Sequence, residues 1–314
     1  MTPSNPSPQP GRPPRLTDRL TTAQVSGVLA MTDAARAADG VAPLSEAFLM
    51  ALNGRRAVHL LIEEPRGDGG LAAYGQVREQ TAELFVAPVH RRSGLGTALL
   101  AAARDAGART VWAHGDLPAA RALARRSGWR ATRTLLKMAR PLTDADGDAP
   151  LDLPDGYTLR GFAPGDEEAW LRVNARAFAS HPEQGRVTRE DLDALLRQSW
   201  FEPAGLLLLL DRSGELAGSH WTKVDPHERS LGPDGTRVVA GEVYVLAVDP
   251  AHHGRGLAKP LTRAGLRHLA RRGLRAVVLY VEADNGPALR TYAGLGFVEV
   301  ESHTTYAPES GTLS

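Results

Sequence analysis

Two side chains in the last third of this 314-residue chain have the chemistry of a proton-transfer pair. Glu242 opens a run of strand-forming residues, Gly241–Val248, and Tyr292 sits in a helical segment, 286–295, that follows the next strand-like run. A carboxylate can take a proton from a nucleophile, and a phenol can supply one to a leaving group. Glu is disfavoured inside a strand, so its place there points to use rather than local preference. Read as structure alone, Glu242 would be a solvent-facing strand residue and Tyr292 an aromatic packed beside Leu289 and Leu295.

Between the two lies a basic, glycine-bearing turn. Leu246-Ala247-Val248 leads through His253-Gly254-Arg255-Gly256-Leu257-Ala258-Lys259 into a helix that places Leu257, Leu261, Ala264, Gly265 and Leu269 on one face. A second copy stands earlier: Leu84-Phe85-Val86, then Arg91-Arg92-Ser93-Gly94-Leu95-Gly96-Thr97. Pro88 matches Pro250 and Gly94 matches Gly256 at one offset (250 − 88 = 162), and each half closes on Gly plus an aromatic, Gly128-Trp129 and Gly296-Phe297. Such agreement in order and spacing indicates an internal duplication. Small residues let a backbone approach a ligand closely, and the first N–H groups of a helix lack acceptors and carry its positive end. Together they suit a pyrophosphate, with Arg92 and Arg255 adding charge. A single glycine turn before a helix would be weak support for a ligand site; two in matching contexts carry more.

Elements must position these groups. Helical periodicity runs from Leu16 to about Ala38 and stops at Gly40, followed by strand-like runs at 57–63, 71–78, 83–86 and 110–113 and a helix over 117–127. After an acidic, turn-rich stretch the order recurs: a helix over 167–179, strands at 206–210, 215–223 and 241–248, a helix over 257–272, a strand at 276–281 and a last helix over 286–295. The polar, Gly/Pro-bearing segment 225–240 reads as a long loop. The expected organisation is a disordered tail over 1–15, a first domain over 16–142, a linker over 143–155 and a second domain over 156–314. Pro260 is tolerated only in a first helical turn, so the helix that holds it starts no earlier than about Arg255.

Composition narrows the rest. A net charge of +1 gives no basic footprint for nucleic acid or an anionic membrane. The absence of cysteine removes disulfides, thiolate zinc sites and a thiol nucleophile. The longest apolar run, Leu206–Leu210, is far short of the ~20 residues of a membrane span, and the Pro/Ser-rich N-terminus lacks the apolar core of a signal peptide. A cytoplasmic monomer acting on a small molecule, without a metal, is the expectation. Lysine occurs only at Lys137, Lys223 and Lys259, so each is worth locating.

The turn resembles the acetyl-CoA signature of the GNAT superfamily, Gln/Arg-x-x-Gly-x-Gly/Ala. The first copy fits, and the second has His253 in the leading position. Further segments, HPEQG (181–185), HWTKV (220–224), GEVYVLAVDP (241–250), LYVEADN (279–285) and RTYAGLGF (290–297), with DGVAPLSE (39–46) and WAHG (112–115), are similar to the mycothiol synthase family. The resemblance covers all but the tail and the linker. It implies an α/β (α+β) fold of two tandem GNAT domains, each a mixed, mostly antiparallel sheet flanked by helices, with a bulge beside the acetyl site. It implies an N-acetyltransferase that uses acetyl-CoA to acetylate the cysteinyl amine of cysteinyl-glucosaminyl-inositol, the last step of mycothiol biosynthesis. By the same resemblance Glu242 is the base, acting through a water, and Tyr292 protonates the departing sulfur. Glu46, Glu183, Lys223, Glu242 and Tyr280 meet the acceptor, and Asn285-Gly286-Pro287-Ala288-Leu289-Arg290 joins the two glycine turns in holding the cofactor. For Glu46, Glu183 and Lys223 the plain alternative is a solvated charge. The offset sets Gln80 against Glu242, and Leu123 or Ala124 against Tyr292, so the first domain is expected to hold cofactor without catalysing. Two other functions fit the residues: a tandem GNAT acting on an aminoglycoside or a protein N-terminus, and a non-catalytic acetyl-CoA sensor.

Overall fold

The computed structural model describes residues 13–54, 57–64, 70–179 and 184–309, His227 by its backbone only. Of the expected tail, residues 1–12 lie outside the described set, and Arg15 opens a strand. The chain forms two compact units, Met1–Leu135 with Glu301–Ser314, and Leu136–Val300.

The first unit runs β1 (Arg15–Thr17), α1 (Thr22–Asp39), α2 (Glu46–Met50), β2 (Val58–Glu63), β3 (Leu71–Arg78), β4 (Thr81–Val86), α3 (Leu95–Asp105), β5 (Thr110–Ala113), α4 (Pro118–Arg126) and the start of β6 (Trp129–Pro141). Helix α1 begins at Thr22 rather than Leu16, because Leu16 pairs with Leu60 of β2 and Thr21 caps the helix with Gln24. It ends at left-handed Gly40, whose N–H donates to the Arg36 carbonyl. Alternation along β2 and β3 feeds two cores: Leu60, Ile62 and Ala73 pack with Leu99 and Ala103 of α3, while Leu61 and Tyr74 pack with Val28, Met31 and Ala35 of α1. Each fully buried leucine contributes roughly 2 kcal/mol to this cover.

The second unit continues with α5 (Asp144–Asp148), β7 (Thr158–Gly161), α6 (Glu167–Ala177), α7 (Arg189–Leu196), β8 (Leu206–Leu210), β9 (Leu216–Leu231), β10 (Arg237–Val248), α8 (Ala258–Arg271), β11 (Ala276–Glu282), α9 (Gly286–Ala293) and β12 (Val298–Pro308). Its sheet order is β6-β11-β10-β9-β8-β7, with β10 and β11 parallel and β7 to β10 antiparallel in sequence neighbours. The mixed, mostly antiparallel sheet flanked by helices is the expected fold class. Segment 225–240 is not a long loop: β9 and β10 extend through it to a turn at 232–236, where Asp234 accepts from the Thr236 backbone N–H and hydroxyl. Polar composition hid the pairing, which is set by the partner strand. From Glu301 onward β12 belongs to the first unit and pairs antiparallel with β5, Thr304 opposite Ala113.

Helix α8 docks on β9 through Leu261, which packs by Ala217 and Gly218, and through His220. His220 is fully buried, its Nδ1–H donating to the Leu261 carbonyl at 2.9 Å. The ring lies over Gly265, where a Cβ would come within 2.1 Å of it, so a side chain there would displace the helix. Burial lowers the His220 pKa from 6.5 to about 4, opposed by the Leu261 carbonyl and reinforced by His268. The folded state therefore holds the neutral ring while the unfolded chain protonates near 6.5. That contribution is complete above the unfolded value and is lost as pH falls from 6.5 towards about 4, a change of roughly 3 kcal/mol. Urea unfolding across this range should show the loss, and His220→Asn, which keeps a donor for Leu261, should flatten the pH slope; an unchanged slope would contradict this origin.

Candidate active site

Strand β10 holds the expected base Glu242, and its neighbours change along its length. Its parallel ladder with β11 covers Gly241↔Val277, Glu242↔Val278 and Val243↔Leu279 and then stops, while β10 runs on to Val248. On the other side the register with β9 shifts between Val243↔Thr222 and Val245↔Trp221, which leaves Tyr244 as the extra residue of a bulge. The bulge that the resemblance implies is thus present at Tyr244, where the parallel ladder ends. In the first unit β4 likewise parts from β5 after Glu83↔Trp112, but the β3–β4 register is unbroken from Ala73↔Val86 to Arg78↔Thr81.

Glu242 is half-buried and lies directly opposite Lys223 on β9. Lys223 is 5% exposed, with its ammonium 5.1 Å from the Trp200 ring and 5.2 Å from the Tyr244 ring. Two aromatic faces thus offset part of the desolvation of a buried cation. Tyr280 stands two residues beyond Val278 on β11, so it shares the sheet face of Glu242 and Lys223. The three residues expected to meet the acceptor thus share one face of the sheet. Glu183 lies outside the described residues. Glu46 is the first residue of α2, in the first unit.

The two glycine turns repeat each other in detail. Backbone φ is positive at Arg92 (65°) and Gly94 (83°), and again at Gly254 (75°) and Gly256 (73°). Arg91 donates from Nε to the Val86 carbonyl at 3.3 Å, and His253 donates from Nε2 to the Val248 carbonyl at 3.0 Å. The leading residue of each turn therefore ties the turn back to its strand, a task that histidine performs as well as arginine. Gly94 and Gly256 have open space where a Cβ would stand, so both turns fit close approach of a phosphate-bearing ligand. Helix α3 starts at Leu95 and α8 at Ala258, which puts Pro260 in the first turn as required. Residues Arg92 to Gly94 and His253 to Gly256 are exposed, with Ser93 Oγ donating to the His90 carbonyl, and Thr97 and Lys259 are also on the surface. Leu95, Gly96 and Ala258 are half-buried and Leu257 is buried. Phe85 and Ala247 bury their side chains in the cores, so only their backbones are open to a ligand, whereas Leu84, Val86, Leu246 and Val248 are half-buried.

Asn285 caps α9 by accepting from the Ala288 N–H at 3.2 Å, with Gly286, Pro287, Leu289 and Arg290 in the first turns. Tyr292 is 7% exposed and its ring packs edge-on to Phe297 at 5.8 Å, among Leu279, Val281 and Leu295. Burial pushes its pKa up to about 12, so the phenol stays protonated at neutral pH. The corresponding helix of the first unit, α4, carries Leu123 and Ala124. The offset alignment of Glu242 with Gln80 does not follow the ladders. Gln80 sits in the β3–β4 turn at φ 78°, and Ala82 occupies the second parallel pair, as Glu242 does.

Several supporting groups escaped the sequence. Tyr157 accepts from Arg255 Nη1 at 3.1 Å and meets His252 Nδ1 at 2.9 Å, holding Arg255 beside the cradle. In the first unit Glu83 is 1% exposed; its Oε2 accepts from the Ser45 N–H at 2.7 Å, and His114 Nε2 lies 3.0 Å from its Oε1. Burial opposes charge on His114, but Glu83 and then Glu301 outweigh it and raise its pKa. Glu83 thus fixes the residue before Glu46 through Oε2 and faces His114 through Oε1. No local pattern marks these residues, since each partner is distant in sequence. Among the described residues no group of His, Cys, Asp and Glu has metal-site geometry, and no helix is long and apolar enough to cross a membrane.

Comparison with known proteins gives the family and the fold. The Acetyltransferase (GNAT) family model matches residues 170–297. A mycothiol acetyltransferase of Thermomonospora curvata is 48% identical over 301 residues, covering 92% of this chain and 95% of the relative. One from Geodermatophilus obscurus is 49% identical over 291 residues, 89% of this chain and 92% of its own. A GCN5-related N-acetyltransferase from Sphaerobacter thermophilus superposes with TM-score 0.65 at 26% identity, covering 92% of this chain and 93% of that one. A tandem GNAT protein from the clavulanic acid biosynthesis pathway shares the fold, with TM-score 0.67 at 18% identity over 96% and 100% of the two chains.

Proposed function

Since this chain belongs to the mycothiol acetyltransferase family of GNAT enzymes, we propose that it acetylates the cysteinyl amine of cysteinyl-glucosaminyl-inositol in the last step of mycothiol biosynthesis. The observation that carries the reading is the layout of β10: a carboxylate, a bulge, an opened parallel ladder and a glycine turn follow one another on a single strand. Acetyl-CoA supplies the acetyl group as a thioester. The turn from His253 to Lys259 and the start of α9 at Asn285–Arg290 would hold its phosphates and pantetheine arm beside the Leu246-Ala247-Val248 backbone, with Arg255 steadied by Tyr157. Glu242 takes the proton from the acceptor ammonium through a water, since only the free amine is a nucleophile. Lys223 and Tyr280 bind the hydroxyls and ammonium of the acceptor.

Burial keeps the Tyr292 phenol protonated at neutral pH, so it is ready to supply a proton to the departing sulfur. In this reading the first unit holds a second acetyl-CoA at Arg92–Thr97 without turning it over, because neither Ala82 in its parallel ladder nor Leu123 or Ala124 on α4 can move a proton. The enzyme works as a cytoplasmic monomer without a metal.

Thiol release from acetyl-CoA, followed with a panel of amines, tests the assignment. Cysteinyl-glucosaminyl-inositol should give the highest kcat/KM. A higher value for an aminoglycoside or a peptide N-terminus would replace the substrate, and tight acetyl-CoA binding with no turnover on any amine would make the protein a sensor.

A further inference from the structure

Lys137 is one of three lysines in the chain, and the catalytic scheme leaves it unused. It lies on the second-unit part of β6, its side chain 12% exposed, with Nζ donating to Glu228 Oε1 at 2.8 Å. The same carboxylate oxygen accepts from the Arg229 N–H at 3.1 Å, while Oε2 accepts from the Tyr280 hydroxyl at 3.3 Å. The Lys137 ammonium also stands 5.6 Å from the centre of the Tyr280 ring. Glu228 reaches this position through a defect in the sheet. The β9–β10 ladder passes from Val224↔Gly241 to Arg229↔Val239, so residues 225–228 of β9 face Ala240 alone. The surplus residues leave the ladder, and their last member closes on a tyrosine of β11 and a lysine of β6, beyond the strand it should have paired with.

A phenol on a strand rotates about two bonds and has a hydroxyl free to turn. Held between a carboxylate and the flank of a cation, it keeps one rotamer and one orientation of its oxygen lone pairs. We propose that Glu228, with Lys137, is a positioning residue for acceptor recognition, fixing the Tyr280 phenol so that its oxygen accepts from a hydroxyl of a polyhydroxylated amine. This rests on Tyr280 meeting the acceptor, as proposed above.

The test is a double-mutant cycle in the full-length enzyme, using the amine that the wild type acetylates best. Glu228→Gln should raise the acceptor KM about tenfold, the effect of losing a charge-assisted hydrogen bond, with the acetyl-CoA KM and thermal unfolding midpoint held. In the Tyr280→Phe background the same change should have little further effect, because the group it positions is gone. Lys137→Met, which removes the other arm of the clamp, should raise the acceptor KM in the same way and serves if the Glu228 variant does not fold. An unchanged acceptor KM in both single variants, an acetyl-CoA KM that rises in step, or a Glu228 effect that persists in full without the phenol would overturn the proposal. Failure of the functional assignment is seen separately, in the wild type and its amine panel. Should no amine be turned over, the Kd for cysteinyl-glucosaminyl-inositol by calorimetry replaces KM throughout, and a Kd equal in wild type and Glu228→Gln overturns the clamp.

Discussion

Glu242→Gln should lower kcat by roughly 10²–10⁴ while leaving the KM for acetyl-CoA near that of the wild type, because the amide keeps the shape of the carboxylate but cannot accept a proton. The substituted residue is half-buried on β10, opposite Lys223, and its neighbours Val243 and Val245 stay in the core. Folding should therefore survive, which an unchanged unfolding transition would verify. Tyr292→Phe should cost less, about 10², the usual loss for one preorganised donor in a site that develops negative charge. Its ring remains packed on Phe297, so the loss belongs to the hydroxyl. Combining the two should leave only the acceleration that comes from holding acetyl-CoA and amine together. If the double variant turns over at the wild-type rate, the proposed chemistry is wrong.

Gly256→Glu and Gly94→Glu should separate the two units. Both glycines are left-handed, so any side chain there costs about 1–2 kcal/mol of strain. Neither Cβ would meet an atom within 4 Å, so each variant should fold. The new carboxylate would face the phosphates that the turn is shaped to receive. A like-charge pair at ~4 Å near a surface costs roughly 4 kcal/mol, which corresponds to ~10³ in affinity. Gly256→Glu should thus abolish measurable turnover. Gly94→Glu should leave turnover within a few-fold of wild type and reduce bound acetyl-CoA from two per chain to one by calorimetry. An equal loss of transfer in a folded Gly94 variant would contradict a silent first unit.

Local signals in the chain predicted the elements that hold these glycines. Strand, basic turn and apolar helix recur at one offset, and the structure repeats them down to matching left-handed residues and the ties from Arg91 and His253 to their strand ends. That much is short-range: φ at a glycine and a helix start depend on a few neighbours. The same locality explains the errors. Leu16 continues the helical periodicity of α1 but is taken by β2, and the offset set Gln80, a turn residue, against Glu242 because a constant shift cannot register changes in strand pairing, the residue added at Tyr244 among them.

What the amino-acid order determined by itself was the kind of fold, the two glycine turns, and the carboxylate and phenol present in one half. What the tertiary structure alone decided was company. It set Lys223 between two aromatic rings, placed Glu228 against Tyr280 and Lys137, put Glu83 behind Ser45, and gave the last strand to the first unit. Each of these pairings joins residues far apart in the chain. Which distant strand or side chain wins is settled by burying apolar surface while pairing the backbone polar groups, a condition on the whole molecule that no window of sequence contains.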